Sequence, residues 1–185
     1  MTLASYISCL RIVLIVPIVY LLDQGWSVDS PSFYNYLAFG LFVIAGLTDY
    51  LDGYIARKTN TETQLGALLD LIADKLLVSL VMVWLVYMEM YASVAIPALI
   101  IVARELVIST LRQYVIEKRG NKEISVSFIG KSKTTIQIIA ISMLILAQEI
   151  TSIYTLALIA IWFAALFSLY SLFMYVSEWS KDYLN

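Results

Sequence analysis

The sequence predicts an all-α, polytopic membrane protein: a six-transmembrane-helix bundle in a single domain covering residues 1–185. Of the 185 residues, 61% are hydrophobic and 14% are charged, with a mean hydropathy of +0.84. An ordinary soluble domain has roughly 25% charged residues. The apolar residues also form six runs, most of which reach the roughly 20 residues needed to cross about 30 Å of hydrocarbon. The runs lie near residues 3–22, 35–55, 66–88, 92–114, 134–149 and 152–177.

Individual runs have features that qualify this prediction. The first run contains Arg11 and is followed by Asp23 rather than by small residues, so we expect it to be retained and not removed as a signal peptide. The second and third runs contain aspartates. The fifth run, 134–149, is the shortest and contains Gln137 and Ser142, which leaves a re-entrant segment as its alternative. The fourth and sixth runs are long enough to span a bilayer as helices.

Lysine and arginine residues predict the orientation. They occur in the connections after the second and fourth runs and in the C-terminal tail, whereas the connections 23–34, 89–91 and 149–151 contain none. Loops rich in these residues stay in the cytoplasm. We therefore expect a multi-pass protein of the inner or plasma membrane, with both termini and the two basic connections in the cytoplasm.

Residue usage excludes several kinds of site. The chain has no histidine and one cysteine, Cys9, so it cannot form an internal disulfide, a Cys/His zinc site or a Ser-His-Asp triad. A general base must then be a carboxylate or a rarer group. Nothing in the sequence predicts a nucleic-acid partner.

Four aspartates interrupt the second and third runs. Asp49 and Asp52 are three residues apart and Asp70 and Asp74 are four apart, so each pair lies on one face of its helix. A carboxylate in the middle of a bilayer costs roughly 2.5–3.5 kcal/mol on insertion scales. Two Mg²⁺ or Mn²⁺ ions would neutralise four carboxylates, and these hard metals prefer oxygen ligands. For any one aspartate alone, an interfacial or scaffolding role is the alternative.

The chain resembles the CDP-alcohol phosphotransferase family, because it contains that family's eight-position signature without a gap or substitution. The signature reads Asp49-x2-Asp52-Gly53-x2-Ala56-Arg57-x8-Gly66-x3-Asp70-x3-Asp74. In this family an alcohol attacks the diphosphate of a CDP-linked lipid or alcohol, and CMP is released. The resemblance implies a helical membrane bundle that acts as a homodimer.

The resemblance also implies roles for individual residues. Asp49, Asp52 and Asp70 would bind the two metal ions, and Asp74 would be both a ligand and the base that takes the acceptor's hydroxyl proton. The implied residues of the donor nucleotide and diphosphate site are Thr48, Asp52, Gly53, Ala56, Arg57 and Gly66.

Two further segments point to the acceptor. "IVARELVISTLRQYV" (101–115) and "VSFIGKSKTTIQ" (126–137) resemble the phosphatidylglycerophosphate synthase branch, which joins CDP-diacylglycerol to sn-glycerol 3-phosphate. A phosphorylated acceptor adds negative charge beside an anionic donor, so further cations must bind its phosphate. The candidates are Arg104, Arg112, Lys131 and Lys133.

Other acceptors and other classes of function remain as alternatives. This chain has no proline in "ASYISCLR" and has Leu71 after the third aspartate, where that branch often has proline. Synthases of the cardiolipin, phosphatidylserine or inositol-phosphate type share the eight-position signature. A cation transporter and a non-catalytic lipid-binding scaffold are the alternatives outside the family. A transporter would need polar residues at mid-membrane on further helices.

Overall fold

The computed structural model describes residues 3–26, 33–59, 64–119 and 127–184, with side chains described for 5–26, 33–48, 66, 68–114, 132–177 and 179–180. These residues form six α-helices and contain no strand, which confirms the predicted all-α bundle. The helices are α1 (Leu3–Gly25), α2 (Phe33–Thr59), α3 (Gln64–Glu89), α4 (Ala92–Arg119), α5 (Ser127–Ala147) and α6 (Thr151–Leu184).

The helices extend beyond the predicted apolar runs, because hydropathy marks only the part of a helix that lies in hydrocarbon. α2 continues to Thr59 and α6 to Leu184. Within the described residues, α1, α3, α4 and α6 are long and apolar enough to cross a membrane, and α2 and α5 have shorter apolar parts. α5 is one uninterrupted helix of 21 residues, although its apolar part covers only Ser132–Ala147.

A single hydrophobic cluster draws buried side chains from all six helices. α1 packs mainly on α2 and α3, α6 packs mainly on α5 and α4, and contact between α2 and α5 joins these groups. Small residues allow the close approach that membrane helices use for packing. Ala45 and Ala165 are fully buried, and a Cβ atom on Gly46 would lie 3.0 Å from Ile138 of α5.

The outer surface is strongly apolar. Large hydrophobic side chains recur every three or four residues along the outside of α6, and Phe173 there is 69% exposed. A surface of this kind is suited to lipid and would promote aggregation in water. The fold therefore confirms the predicted polytopic membrane protein.

The path of the chain defines two ends of the bundle. At the signature end, α2 and α4 end and α3 and α5 begin. At the opposite end, α1, α3 and α5 end. There Met90 and Tyr91 alone join α3 to α4, and Met90 adopts a left-handed conformation (φ 52°) that turns the chain back sharply.

Candidate functional site

Two of the four signature aspartates have described side chains, and both lie on α3 at the signature end. Asp70 and Asp74 are one helical turn apart and half-buried, so their carboxylates share a face of the helix. Gly66 lies one turn before Asp70 and is also half-buried. The predicted pairing of the carboxylates along α3 therefore holds in the structure.

The other predicted donor and metal residues lie on the last turns of α2. Their backbone is helical to Thr59, but the side chains lie outside the described part of the chain. These residues are Asp49, Asp52, Gly53, Ala56 and Arg57. The side chain of Thr48 is described, and its hydroxyl donates to the Ala45 carbonyl oxygen of the same helix at 2.7 Å.

A buried arginine of α1 contacts the third signature aspartate. The Arg11 Nη1 atom donates to Asp70 Oδ1 at 3.4 Å, which links α1 to α3. The Arg11 side chain is 0% exposed, whereas the Asp70 side chain is 43% exposed. A buried cation thus contacts the carboxylate of a partly exposed aspartate.

A second arginine joins α4 to α6. Arg104 is 4% exposed. Its Nε donates to the Ser168 carbonyl oxygen at 3.1 Å and its Nη2 to Ser171 Oγ at 2.8 Å. Its Nη1 donates to Glu105 Oε1 at 3.0 Å. Three of the five guanidinium N–H donors are thereby engaged by protein groups.

Lys133 brings α5 into the same network. It is 7% exposed, and its ammonium forms an ion pair with Glu105 Oε1, the oxygen that also accepts from Arg104. Electrostatic interactions connect the Lys133 charge with Asp74, Lys75 and Arg104. The second α3 aspartate and these predicted basic residues therefore belong to one site at the signature end.

The remaining predicted cations are Arg112 and Lys131. Arg112 is exposed on α4, and its charge interacts with that of Lys75 on α3. The Lys131 side chain lies outside the described residues. The structure thus places Arg104 and Lys133 inside the site and Arg112 at its edge.

Sequence reasoning missed several residues of this network. Lys75 donates to Ser109 Oγ, and Ser109 in turn donates to the Glu105 carbonyl oxygen at 2.5 Å. A lysine directly after the fourth aspartate, inside an apolar run, was the available signal for Lys75. Ser168 and Ser171 gave no such signal, because serines occur in many membrane helices and only packing brings these two to Arg104.

The described part of the site suits a hard divalent cation. Asp70 and Asp74 present oxygen ligands on one helix face, and half-burial leaves them open to a bound ion. Arg11 supplies the kind of supporting contact that orients a ligating carboxylate. A complete ligand set would need the α2 aspartates, since the described side chains contain no group of three acidic, histidine or cysteine residues.

Comparison with known proteins extends the resemblance to nearly the whole chain. Residues 1–170 match the sequence model of the CDP-alcohol phosphatidyltransferase family. The matched region contains the signature and every residue of the network at the signature end except Ser171.

Curated relatives cover the chain at substantial identity. A protein of Escherichia coli (strain K12) is 36% identical over 98% of this chain and 96% of its own length. One from Salmonella choleraesuis has the same identity and coverage, and one from Salmonella paratyphi A is 41% identical over 78% of this chain and 79% of its own length. All three carry the name CDP-diacylglycerol--glycerol-3-phosphate 3-phosphatidyltransferase.

Proposed function

The chain belongs to the CDP-alcohol phosphatidyltransferase family, and from that premise we propose that it transfers the phosphatidyl group of CDP-diacylglycerol to sn-glycerol 3-phosphate. The products are phosphatidylglycerol phosphate and CMP. The relatives' shared name supports this choice of donor and acceptor. The reaction belongs to the synthesis of membrane phospholipids.

One structural observation carries the proposal: the α3 aspartates lie beside a buried basic cluster at one end of a membrane bundle. Asp74 interacts electrostatically with Lys75 and Lys133, and Lys133 is paired with Glu105. A transfer between two anionic substrates needs carboxylates for metal and proton chemistry and separate cations for the acceptor phosphate. The site supplies both kinds of group within one helical bundle.

The chemistry assigns separate tasks to the carboxylates. The acceptor hydroxyl oxygen bonds to the lipid-side phosphorus, the bond from that phosphorus to the bridging oxygen breaks, and CMP leaves with the electron pair. Asp74 takes the hydroxyl proton. Two bound Mg²⁺ or Mn²⁺ ions would supply charge neutralisation at the diphosphate. Asp49, Asp52, Asp70 and Asp74 would hold these ions, and Arg11 keeps Asp70 in place.

The donor and acceptor sites follow from the same arrangement. Gly66, which lies one turn before Asp70, is proposed to lie at the nucleotide end of the donor. The other proposed donor-site residues are Thr48, Asp52, Gly53, Ala56 and Arg57. The acceptor phosphate binds among Arg104, Arg112, Lys131 and Lys133. Because Arg104 already donates to α6 and to Glu105, its main contribution is to hold this pocket together.

An acceptor assay tests the proposed function. Purified protein in detergent is supplied with CDP-diacylglycerol, Mg²⁺ or Mn²⁺, and one of four acceptors: glycerol 3-phosphate, serine, inositol 1-phosphate or phosphatidylglycerol. We expect CMP release to be fastest with glycerol 3-phosphate. Faster CMP release with serine would reject glycerol 3-phosphate as the acceptor but keep the reaction class. If none of the four acceptors supported CMP release, both the acceptor and the reaction class would be rejected.

The proposed orientation places the signature end in the cytoplasm, supported by the distribution of lysine and arginine. After Cys9 is replaced by serine, a Ser27→Cys protein in intact cells should react with a membrane-impermeant maleimide, and an Asn60→Cys protein should not. The reverse pattern would reject this orientation. A homodimer, supported by the family resemblance, should be detected by light scattering of the purified protein.

A further inference from the structure

Lys75 is a charged residue inside a membrane helix. It directly follows Asp74 and lies seven residues, or roughly 10 Å, into the candidate span Leu68–Glu89. Its side chain is half-buried, and its ammonium donates to Ser109 Oγ of α4. A cation this far into an apolar helix is costly, and such residues usually mark a substrate pathway or a paired site.

The contact with Ser109 compensates little of that cost. Ser109 is neutral, and its own proton goes to the Glu105 carbonyl oxygen. An ammonium has three N–H donors, and among the described side chains Ser109 is the one hydrogen-bond acceptor for Lys75. Ser109 therefore fixes the direction of the ammonium and leaves donors for an anionic ligand.

Basic residues outnumber acidic ones among the described side chains around Lys75. The Lys75 charge is attracted by Asp74 and repelled by Arg112. The Lys133 charge is likewise attracted by Asp74 and repelled by Lys75 and Arg104. Among the described side chains of this network, four cations face two carboxylates, Asp74 and Glu105, while Asp70 is paired with Arg11. A phosphate monoester, which carries about −1.5 to −2 at pH 7, is an anion that such a group of cations could bind.

We propose that Lys75 binds the phosphate of the acceptor, together with Arg112 and Lys133. This inference rests on the proposed function and adds a residue to its acceptor site. Only three carbons separate the reacting hydroxyl of glycerol 3-phosphate from its phosphate. When Asp74 takes the hydroxyl proton, the phosphate must lie close by, and the Lys75 ammonium is near enough to Asp74 for their charges to interact.

The test compares kinetic constants of Lys75→Met, Lys75→Arg and Ser109→Ala with those of the unaltered enzyme. Lys75→Met should raise the KM for glycerol 3-phosphate about tenfold to hundredfold, which corresponds to the loss of a charged hydrogen bond. The KM for CDP-diacylglycerol should stay unchanged. Lys75→Arg should recover much of the affinity, and Ser109→Ala should show a smaller effect of the same kind. Lys122→Met is the control, because it makes the same change at a lysine that is not part of the proposed acceptor site.

A double-mutant cycle with Arg112→Met makes the test specific. If both cations bind one phosphate, the combined loss in kcat/KM differs from the product of the single losses. Equal rises in both KM values with a lower melting temperature would overturn the inference and make Lys75 a link between α3 and α4. If Lys75→Met does not fold, Lys75→Gln and Ser109→Ala decide by the same criteria.

The outcomes separate this inference from the proposed function. An unaltered enzyme that prefers another phosphorylated acceptor, with a KM still dependent on Lys75, would reject glycerol 3-phosphate and keep the phosphate contact. Preference for glycerol 3-phosphate with a KM independent of Lys75 would reject only the contact. Preference for an uncharged acceptor would reject both.

Discussion

The two ends of the bundle use polar residues in opposite ways. At the opposite end, Asn35 Nδ2 donates to Glu149 Oε1 at 2.7 Å and to the Gly25 carbonyl oxygen at 3.2 Å. Tyr154 there donates to Glu89 Oε2 at 3.2 Å. Each of these contacts joins a neutral donor to an acceptor, and together they link α2 to α1 and to the α5–α6 connection, and α6 to α3.

At the signature end, by contrast, the described carboxylates pair with cations rather than with neutral donors. One oxygen of Glu105 receives both Arg104 and Lys133, and Lys75 rests on a neutral serine. Hydrogen bonds from neutral donors can hold helices and connections together, whereas ionisable residues grouped within membrane helices usually mark a functional site. Substitutions at the two ends should therefore have different consequences, for catalysis at one and for stability at the other.

The largest expected effect follows removal of a carboxylate charge at the signature end. Asp74→Asn should lower kcat about 10²-fold to 10⁴-fold, because the proposed general base is lost. Asp70→Asn should abolish turnover, because a proposed metal ligand is lost, and chelation of divalent ions should do the same to the unaltered enzyme. The measurement is CMP release, with the melting temperature as the check on folding.

Glu149→Gln is the matched control, because it makes the same carboxylate-to-amide change at the opposite end. It should leave CMP release nearly unchanged. Comparable losses in Glu149→Gln and Asp74→Asn would contradict the functional difference between the ends.

Arg11 should show the next largest effect, through its contact with Asp70. Loss of a partner that orients a metal ligand typically costs 10-fold to 100-fold in metal affinity or activity. We expect Arg11→Met to lose about that much activity and to require more Mn²⁺ for half-maximal rate. Arg11→Lys should recover part of the loss. An unchanged Mn²⁺ requirement, measured by titration, would show that Arg11 acts only in packing.

Arg104 and Arg112 give a comparison within the signature end. Arg104 is buried against α6, so Arg104→Gln should lower the melting temperature and affect both substrates. Arg112 is exposed, so Arg112→Gln should raise only the KM for glycerol 3-phosphate, about tenfold. Arg112→Lys should also weaken binding, because lysine cannot bind a phosphate with two parallel hydrogen bonds. The same kinetic pattern for both arginines would reject the distinction.

The sequence predicted what depends on local spacing. Asp70 and Asp74 share a face because they are four residues apart on one helix, and the six helices follow from the length of the apolar runs. It did not predict Arg11 with Asp70 or Arg104 with Ser171, because these partners are 59 and 67 residues apart. Such contacts depend on how the helices pack and rotate, which hydropathy does not specify.

The smallest expected effect on activity lies at the opposite end. Asn35→Ala removes a partly buried hydrogen bond to a carboxylate, and such a bond typically contributes about 1.5–3 kcal/mol. We expect a lower melting temperature in detergent but unchanged kinetic constants well below that temperature. A change in the KM for either substrate would show that this end also shapes the site.

Gly25 provides an internal check on that prediction. A Cβ atom on Gly25 would lie 2.1 Å from Asn35 Oδ1, too close for any real contact, so Gly25→Ala should destabilise the protein by displacing Asn35. In an Asn35→Ala background the obstructing amide is gone, and Gly25→Ala should cost much less. Equal costs in the two backgrounds would show that Asn35 does not hold this position. Reduced cost, with kinetics unchanged in all three variants, would assign the opposite end to stability alone.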